Sequence, residues 1–263
     1  MSDELLYTTE DDIGWVTFNR PAARNALTFA MYEGLAEICA AQTAAPSLRA
    51  LVLTGAGEKA FAAGTDIGQF RGFDGPEDAI AYEARLDRVA DTIERCPIPL
   101  IAALSGACTG GGAGIAACCD IRLAAANLRF GFPIARTLGN CLSMGNIARL
   151  SALIGPARVK EIIFTARLVE AEEAKAVGLV SEVLPDHAAL MARAAALARA
   201  IAGNAPLTLR ATKEAVRRLR GRHAADADVN ADRDLILLCY LSQDFREGME
   251  AFLGKRPPVW RGA

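Results

Sequence analysis

Two glycine-bearing segments offer the clearest chemistry in the chain: Lys59-Ala-Phe-Ala-Ala-Gly-Thr-Asp-Ile67 and Ser105-Gly-Ala-Cys-Thr-Gly-Gly-Gly-Ala-Gly114. Each follows an apolar run that reads as a buried strand, and each can leave main-chain N–H groups unpaired where a helix starts. Two such donors converging on one point stabilise a developing oxyanion, which is worth several kcal/mol in a water-poor site. Glycine lets the backbone come close to a ligand. The same patterns also suit tight turns that let a helix pack closely on a strand, and the pattern alone leaves both readings open.

Other chemistries find less support. Gly55-Ala-Gly-Glu-Lys-Ala60 and Gly112-Ala-Gly-Ile-Ala-Ala117 both match GxGxxA. A dinucleotide site needs a helix opening at that turn and an acid about twenty residues on. The first pattern runs into Gly-broken sequence, and the second places Phe132, Pro133 and Ile134 where the acid belongs. No GxxxxGK[ST] occurs, which removes a P-loop. The two histidines, His187 at a helix start and His223 in a polar turn, read as surface residues rather than as members of a triad or metal site. Seven cysteines, Cys39, Cys96, Cys108, Cys118, Cys119, Cys141 and Cys239, show no CxxC pair and no ligand spacing. They are expected to be reduced thiols of a cytoplasmic protein.

The elements that must hold these segments follow from periodicity. Residues 13–18, 49–54, 98–104 and 120–125 read as strands, several of them apolar throughout and therefore buried on both faces. Thr28 is placed to cap a helix whose Met31, Leu35, Ile38 and Cys39 share one side. Pro76 to Arg95 reads as a second helix. Strands alternating with helices predict a parallel sheet flanked by helices. Beyond residue 142 the spans 143–165, 171–177, 186–202, 206–220 and 231–253 read as helical, with 179–184 strand-like. Phe245, Met249, Phe252 and Leu253 form an apolar stripe that suits packing on the chain's own core or on another subunit.

Composition agrees with a large α/β unit. A chain of 263 residues buries roughly three quarters of its unfolded surface, so neither disulfides nor a structural metal are required. Aromatics are only 6% of a chain that is 52% hydrophobic, so Ala, Leu, Ile and Val must build the core. Twenty-nine basic against 31 acidic residues, with no arginine run interleaved with aromatics, points away from nucleic acid. Arg217, Arg218, Arg220 and Arg222 are expected to be a solvated helix face. The acidic start, MSDELLYTTE, lacks the apolar region of a signal peptide, and no apolar run reaches membrane-spanning length.

The ordered set Asn19-Arg-Pro21, Asn25-Ala-Leu27, Ala60-Phe-Ala-Ala-Gly-Thr-Asp-Ile67, Gly110-Gly-Gly112, Cys119-Asp120, Gly178-Leu-Val180 and Glu247-Gly-Met-Glu-Ala-Phe-Leu-Gly-Lys-Arg-Pro257 resembles the crotonase (enoyl-CoA hydratase/isomerase) superfamily. The likeness runs from about residue 5 to 260. It implies an α/β spiral of ββα units over residues 1–200, a C-terminal helical trimerisation segment over 201–263, and a homotrimer or dimer of trimers. It also implies an oxyanion hole of Thr65 N–H and Gly111 N–H for the thioester of an acyl-CoA, with CoA entering as part of the substrate and no separate cofactor. The substrate would lie along Arg24, Ala26, Ala62, Ala63, Asp66 and Ile67 and against Gly110, Gly114, Pro133 and Ile134. Lys59 would stand near the phosphates, and Phe252 and Lys255 could approach CoA from the C-terminal helices.

The resemblance breaks at one place that matters. Hydratases of this family carry one glutamate two residues after the glycine triplet and another just after a downstream proline. Here those positions hold Gly114 and Ile134. Neither transfers a proton, while hydration needs a base to position water and an acid to protonate the α-carbon. The stretch from Arg136 to Ser143 is also about one residue longer than the family's segment. Three readings follow: a hydratase or isomerase with relocated groups, a malonyl-type acyl-CoA decarboxylase that needs no base, and a silent CoA-thioester-binding protein. Arg136, Asn140, Cys141 and Ser143 are the relocated candidates, with Cys141 also a conceivable nucleophile. Glu83 and Asp87 join them, although helix spacing reads both as exposed charges.

Overall fold

The computed structural model describes residues 3–71, 74–220, 234, 237–238 and 241–263, with only the main chain of Pro76, Met249, Phe252 and Leu253. Among the described residues ten strands fall into two sheets. The larger holds β1 (Leu5–Glu10), β2 (Ile13–Phe18), β3 (Ala50–Gly55), β5 (Leu100–Leu104), β7 (Ile121–Ala125) and β10 (Glu182–Leu184), in that order. Only the β1–β2 pair is antiparallel. The smaller holds β4 (Ala60–Ala62), β6 (Ala107–Thr109), β8 (Arg129–Gly131) and β9 (Val169–Glu170), with β4, β6 and β8 mutually parallel. The sequence pattern did not predict β1 or the short strands of the second sheet. Three residues carry no periodicity to read, and β1 is mostly exposed.

Helices α1 (Phe29–Ala44), α2 (Pro76–Arg95), α3 (Gly111–Cys118) and α4 (Met144–Ile154) alternate with these strands. The runs β3-β4-α2, β5-β6-α3 and β7-β8-α4 repeat one order, long strand, short strand, helix, and each divides its strands between the sheets. This is the ββα repetition that the family resemblance implies. The buried strands show why their sequences are apolar throughout. In β3, Leu51 and Leu53 face a core shared with Met31 and Leu35 of α1 and Val89 and Ile93 of α2. Ala50 and Val52 face Leu190, Ala194 and Ala198 of a later helix across the other face.

That helix, α7 (His187–Ala202), follows α5 (Pro156–Thr165) and α6 (Ala171–Ala176) and precedes α8 (Pro206–Arg220) and α9 (Gln243–Leu253). The single helix expected over 143–165 is instead α4 and α5. Gly155 adopts φ 79°, and Pro156, lacking an N–H, starts the next helix. The expected solvated arginine face is part-exposed and carries ion pairs. Arg217 and Arg218 both pair with Glu214, at 2.7 and 2.8 Å, and Arg220 reaches the buried Glu94. Arg222, His223 and Cys239 lie outside the described residues. In the C-terminal stretch Lys213 pairs with Asp120 at 2.7 Å, and the Trp260 carbonyl accepts from Arg49 at 2.8 Å. Phe245 of the expected apolar stripe is exposed, and the side chains of its other members lie outside the described residues. Among the described residues no helix is long and apolar enough to cross a membrane.

Candidate active site

Because β4, β6 and β8 are parallel neighbours, the turns after their C-terminal ends emerge on one side of the small sheet. That is the position where parallel sheets present loops to ligands. Ala63-Gly64-Thr65 follows β4, Gly110-Gly111 follows β6, and Phe132-Pro133-Ile134 follows β8; all line one cleft of about 230 Å3. Helix α2 supplies another wall through Tyr82, Glu83, Leu86, Val89, Ala90 and Ile93.

The two glycine turns touch. A Cβ added at Gly110, which has φ 52°, would lie 3.4 Å from Gly64 Cα. A Cβ at Gly111 would fall 1.8 Å from the Tyr32 hydroxyl oxygen and 3.0 Å from Thr65 Oγ1. One at Gly112 would fall 2.2 Å from the Ala62 carbonyl oxygen. Glycine is therefore favoured at Gly110 by its positive φ, at Gly111 by the Tyr32 hydroxyl, and at Gly112 by the Ala62 main chain. On either side of Thr65, Leu27 N–H donates to the Gly64 carbonyl and Asp66 N–H to the Leu27 carbonyl, both at 2.8 Å. Among the described residues, the N–H groups of Thr65 and Gly111 have no hydrogen-bond acceptor. Gly111 opens α3, where the first turn leaves its donors unpaired.

The Thr65 hydroxyl stands between two phenols, 2.9 Å from Tyr32 and 3.0 Å from Tyr82. Burial pushes both phenol pKa values above the ordinary value, so at neutral pH both remain O–H groups. A buried Asn25 braces the turn before β4. Its amide N–H2 donates to the carbonyls of Ala56 (3.1 Å) and Ala60 (2.7 Å), and its Oδ1 accepts from Arg20 N–H (3.0 Å). Asn25 sits at φ 57°, a left-handed conformation that asparagine tolerates better than most residues.

Glu83 and Asp87 differ from the expected exposed helix charges. Glu83 is half-buried and lines the cleft. Burial pushes its carboxyl up from the ordinary 4.5, and Asp87 raises it further. Asp87 accepts a 2.7 Å hydrogen bond from the Ser143 hydroxyl, which itself accepts from Asn146 N–H at the start of α4. Further along α2, Asp91 and Glu94 each lie 3.0 Å from Arg149. The carboxylates of this helix thus face α4 as well as water.

Most of the residues expected at the site meet there. Ala63, Thr65, Ile67, Gly110, Gly111, Gly114, Pro133, Ile134, Asn140 and Cys141 line the cleft. Cys141 is exposed at its rim, not partly buried as a structural thiol would be. Ala62 is fully buried beneath Gly112. Asp66 caps the following turn through Gly68 N–H (2.9 Å) and pairs with Arg20 (2.7 Å), which also donates to the Ala26 carbonyl (2.7 Å). Arg24 is exposed, and its carbonyl accepts from Ala63 N–H. Lys59, Arg136 and Lys255 are exposed and do not line the cleft. The Phe252 side chain lies outside the described residues. His187 opens α7 half-buried, rather than lying on the surface. No group of three or more His, Cys, Asp or Glu residues is placed to hold a metal among the described residues.

Tyr32, Tyr82, Asn146 and Cys118 also line the cleft and were not singled out from sequence. Tyr82 and Glu83 begin a run with Leu86, Val89, Ala90 and Ile93 at spacings of three and four, so helical periodicity could have exposed that wall. Burial pushes the Cys118 thiol up to about 12, which leaves it protonated.

Comparison with known proteins identifies the family. A sequence profile of the family described as enoyl-CoA hydratase/isomerase matches residues 8–263. The chain is 35% identical over 258 residues to a crotonyl-CoA hydratase of Syntrophomonas wolfei, covering 97% of this chain and 96% of that protein. It is 34% identical to a short-chain-enoyl-CoA hydratase of Clostridium acetobutylicum, with 97% and 96% covered. The crystal structure of an enoyl-CoA hydratase/carnithine racemase from Magnetospirillum magneticum superimposes with a TM-score of 0.92 at 38% identity, covering 100% of this chain and 97% of that one. This chain, with its crotonase fold, belongs to the enoyl-CoA hydratase/isomerase family of the crotonase superfamily.

Proposed function

We propose that the cleft holds the thioester carbonyl of an acyl-CoA between Thr65 N–H and Gly111 N–H and stabilises the enolate formed there, in hydratase or isomerase chemistry on an enoyl-CoA. The observation that carries this reading is the pair of acceptor-free N–H groups in touching glycine turns beside the cleft. When the α-carbon of a thioester loses a proton, negative charge moves onto the carbonyl oxygen. Fixed main-chain donors stabilise that charge without having to reorganise. The hydratases to which the chain is similar support an enoyl-CoA as substrate. On this reading the rest of CoA runs outward past Ala63, Ile67 and Arg24, with Ala26 and Asp66 beneath. Lys59 meets the phosphates, and Phe252 and Lys255 approach from the C-terminal end. The molecule works in the cytoplasm as a homotrimer or dimer of trimers.

The lining argues against a malonyl-type substrate. Among the described residues it includes no Lys, Arg or His, and its one carboxylate is Glu83. A second carboxylate on the acyl group would meet a like charge and no partner, a costly arrangement in a half-buried site. Incubation with crotonyl-CoA, a 3-enoyl-CoA and methylmalonyl-CoA, each followed by mass spectrometry and NMR, separates the readings. Addition of water or movement of the double bond is expected. Release of CO2 would replace this reading with decarboxylation, and binding without turnover would make the protein a silent thioester carrier. Gly114 has space for a side chain, since an added Cβ meets nothing closer than Asn146 Oδ1 at 3.7 Å. The Gly114→Glu, Ile134→Glu double variant is therefore expected to raise crotonyl-CoA hydration, roughly 100-fold or more if both groups act.

A further inference from the structure

We propose that Glu83 is the residue that removes the proton from the α-carbon of the bound thioester and returns it. This rests on the thioester reading above. Glu83 is the one carboxylate among the described residues of the cleft lining. Its sequence neighbour Tyr82 lies 3.0 Å from Thr65 Oγ1, and Tyr32, 2.9 Å from the same oxygen, lines the cleft with them. The carboxylate thus lines the same cleft as both N–H donors. The other titratable groups lining the cleft are poorer bases at neutral pH or lie at its edge. The phenols of Tyr32 and Tyr82 and the Cys118 thiol are held protonated by burial. Cys141 is exposed at the rim. The two positions where the family's glutamates are expected hold Gly114 and Ile134.

The step balances with no further reactant. The Cα–H bond breaks, the proton passes to a Glu83 carboxylate oxygen, and the electron pair moves to the thioester oxygen as an enolate held by the two N–H groups. Return of the proton to Cα regenerates the thioester. With an unsaturated acyl group, return to the γ-carbon moves the double bond. One carboxyl that both takes and returns the proton needs neither a second acid nor an ordered water. The base works best when its proton affinity lies near that of the medium. Burial and Asp87 both push Glu83 in that direction. Asp87, held by Ser143, acts on the proton only through Glu83 and is a positioning residue. The titratable groups that share its cleft are Tyr82 on its own helix, Tyr32 of α1, Cys118 of α3 and Cys141 of the loop before α4, and Asp87, one turn along α2, raises its pKa.

The test uses butyryl-CoA in D2O, which can exchange its α-protons but undergo no other turnover. Binding is measured by calorimetry, and α-deuterium by NMR. The wild-type protein should bind and exchange. Glu83→Gln should keep binding and lose roughly 100-fold or more of the exchange rate, and Glu83→Asp should keep part of it. Binding with wild-type exchange in Glu83→Gln overturns this proposal and leaves the thioester reading standing. Failure of the wild-type protein to bind butyryl-CoA overturns that reading, and this proposal with it.

Discussion

The cleft has one wall made of main chain and another made of side chains. Around Gly64-Thr65 and Gly110-Gly111 the useful groups are N–H dipoles, and their neighbours are glycines packed against Ala62, Thr109, Thr65 and Tyr32. Along α2 they are the Glu83 carboxyl and the Tyr82 hydroxyl, carried on a helix that any well-formed sequence could build. On the proposed reading the first wall fixes where a carbonyl is held, and sterics leave its residues little freedom. The second can exchange its reactive group with no change of fold. On that reading, a chain built this way could keep one hole and change the proton chemistry beside it.

Substitutions can break this comparison at either wall. The largest effect is expected from Gly111→Ala, because the added carbon would overlap the Tyr32 hydroxyl. Displacing one donor should lower kcat/KM for an enoyl-CoA roughly 100- to 1000-fold. Adding Tyr32→Phe removes that oxygen and leaves the ring carbon at 3.2 Å, so the double variant should recover part of the loss in a double-mutant cycle. Next comes Asn25→Ala, which strips partners from buried main-chain groups beneath the same turns. It should cost about 1–3 kcal/mol, read as a fall in the midpoint of urea or thermal unfolding. On the helical wall, Tyr82→Phe removes one bond to Thr65 Oγ1. A net loss of about 0.5–1.5 kcal/mol should appear as a several-fold drop in kcat/KM.

The smallest effect is a displacement along the pH axis. Glu83 acts as a base only when ionised, so activity should fall as pH drops through a value above the ordinary 4.5. The negative charge of Asp87 disfavours a second charge beside it, which raises the Glu83 pKa. Asp87→Asn removes that effect while Oδ1 can still accept from Ser143. The acid limb of the pH–rate profile should move to lower pH with little change on the plateau. A limb that stays in place would separate Asp87 from the reacting proton.

The two walls were unequally legible in the amino-acid sequence. Glycine clusters after apolar runs mark the main-chain wall directly, because tight turns and close approach restrict the residue choice. Thr65, Gly110, Gly111, Gly114, Pro133 and Ile134 are all expected at the site from sequence, and they line the cleft. The long strands and capped α1 were equally plain, with Thr28 Oγ1 accepting from Met31 N–H at the expected position. The second sheet was not, since its short strands show no alternation. Nor did periodicity alone reveal that Glu83 faces inward. A carboxylate at the margin of an amphipathic face satisfies the helix pattern whether it meets water or a ligand, and only the packing of α2 beside the glycine turns decides between them.

The central claim is that Thr65 and Gly111 together polarise a thioester carbonyl. Isotope-edited infrared difference spectroscopy on bound [1-13C]butyryl-CoA measures that polarisation directly. The account predicts a carbonyl stretch at lower frequency when bound than in water, and a return toward the solution value in Gly111→Ala. A bound carbonyl that absorbs where it does in water would contradict it.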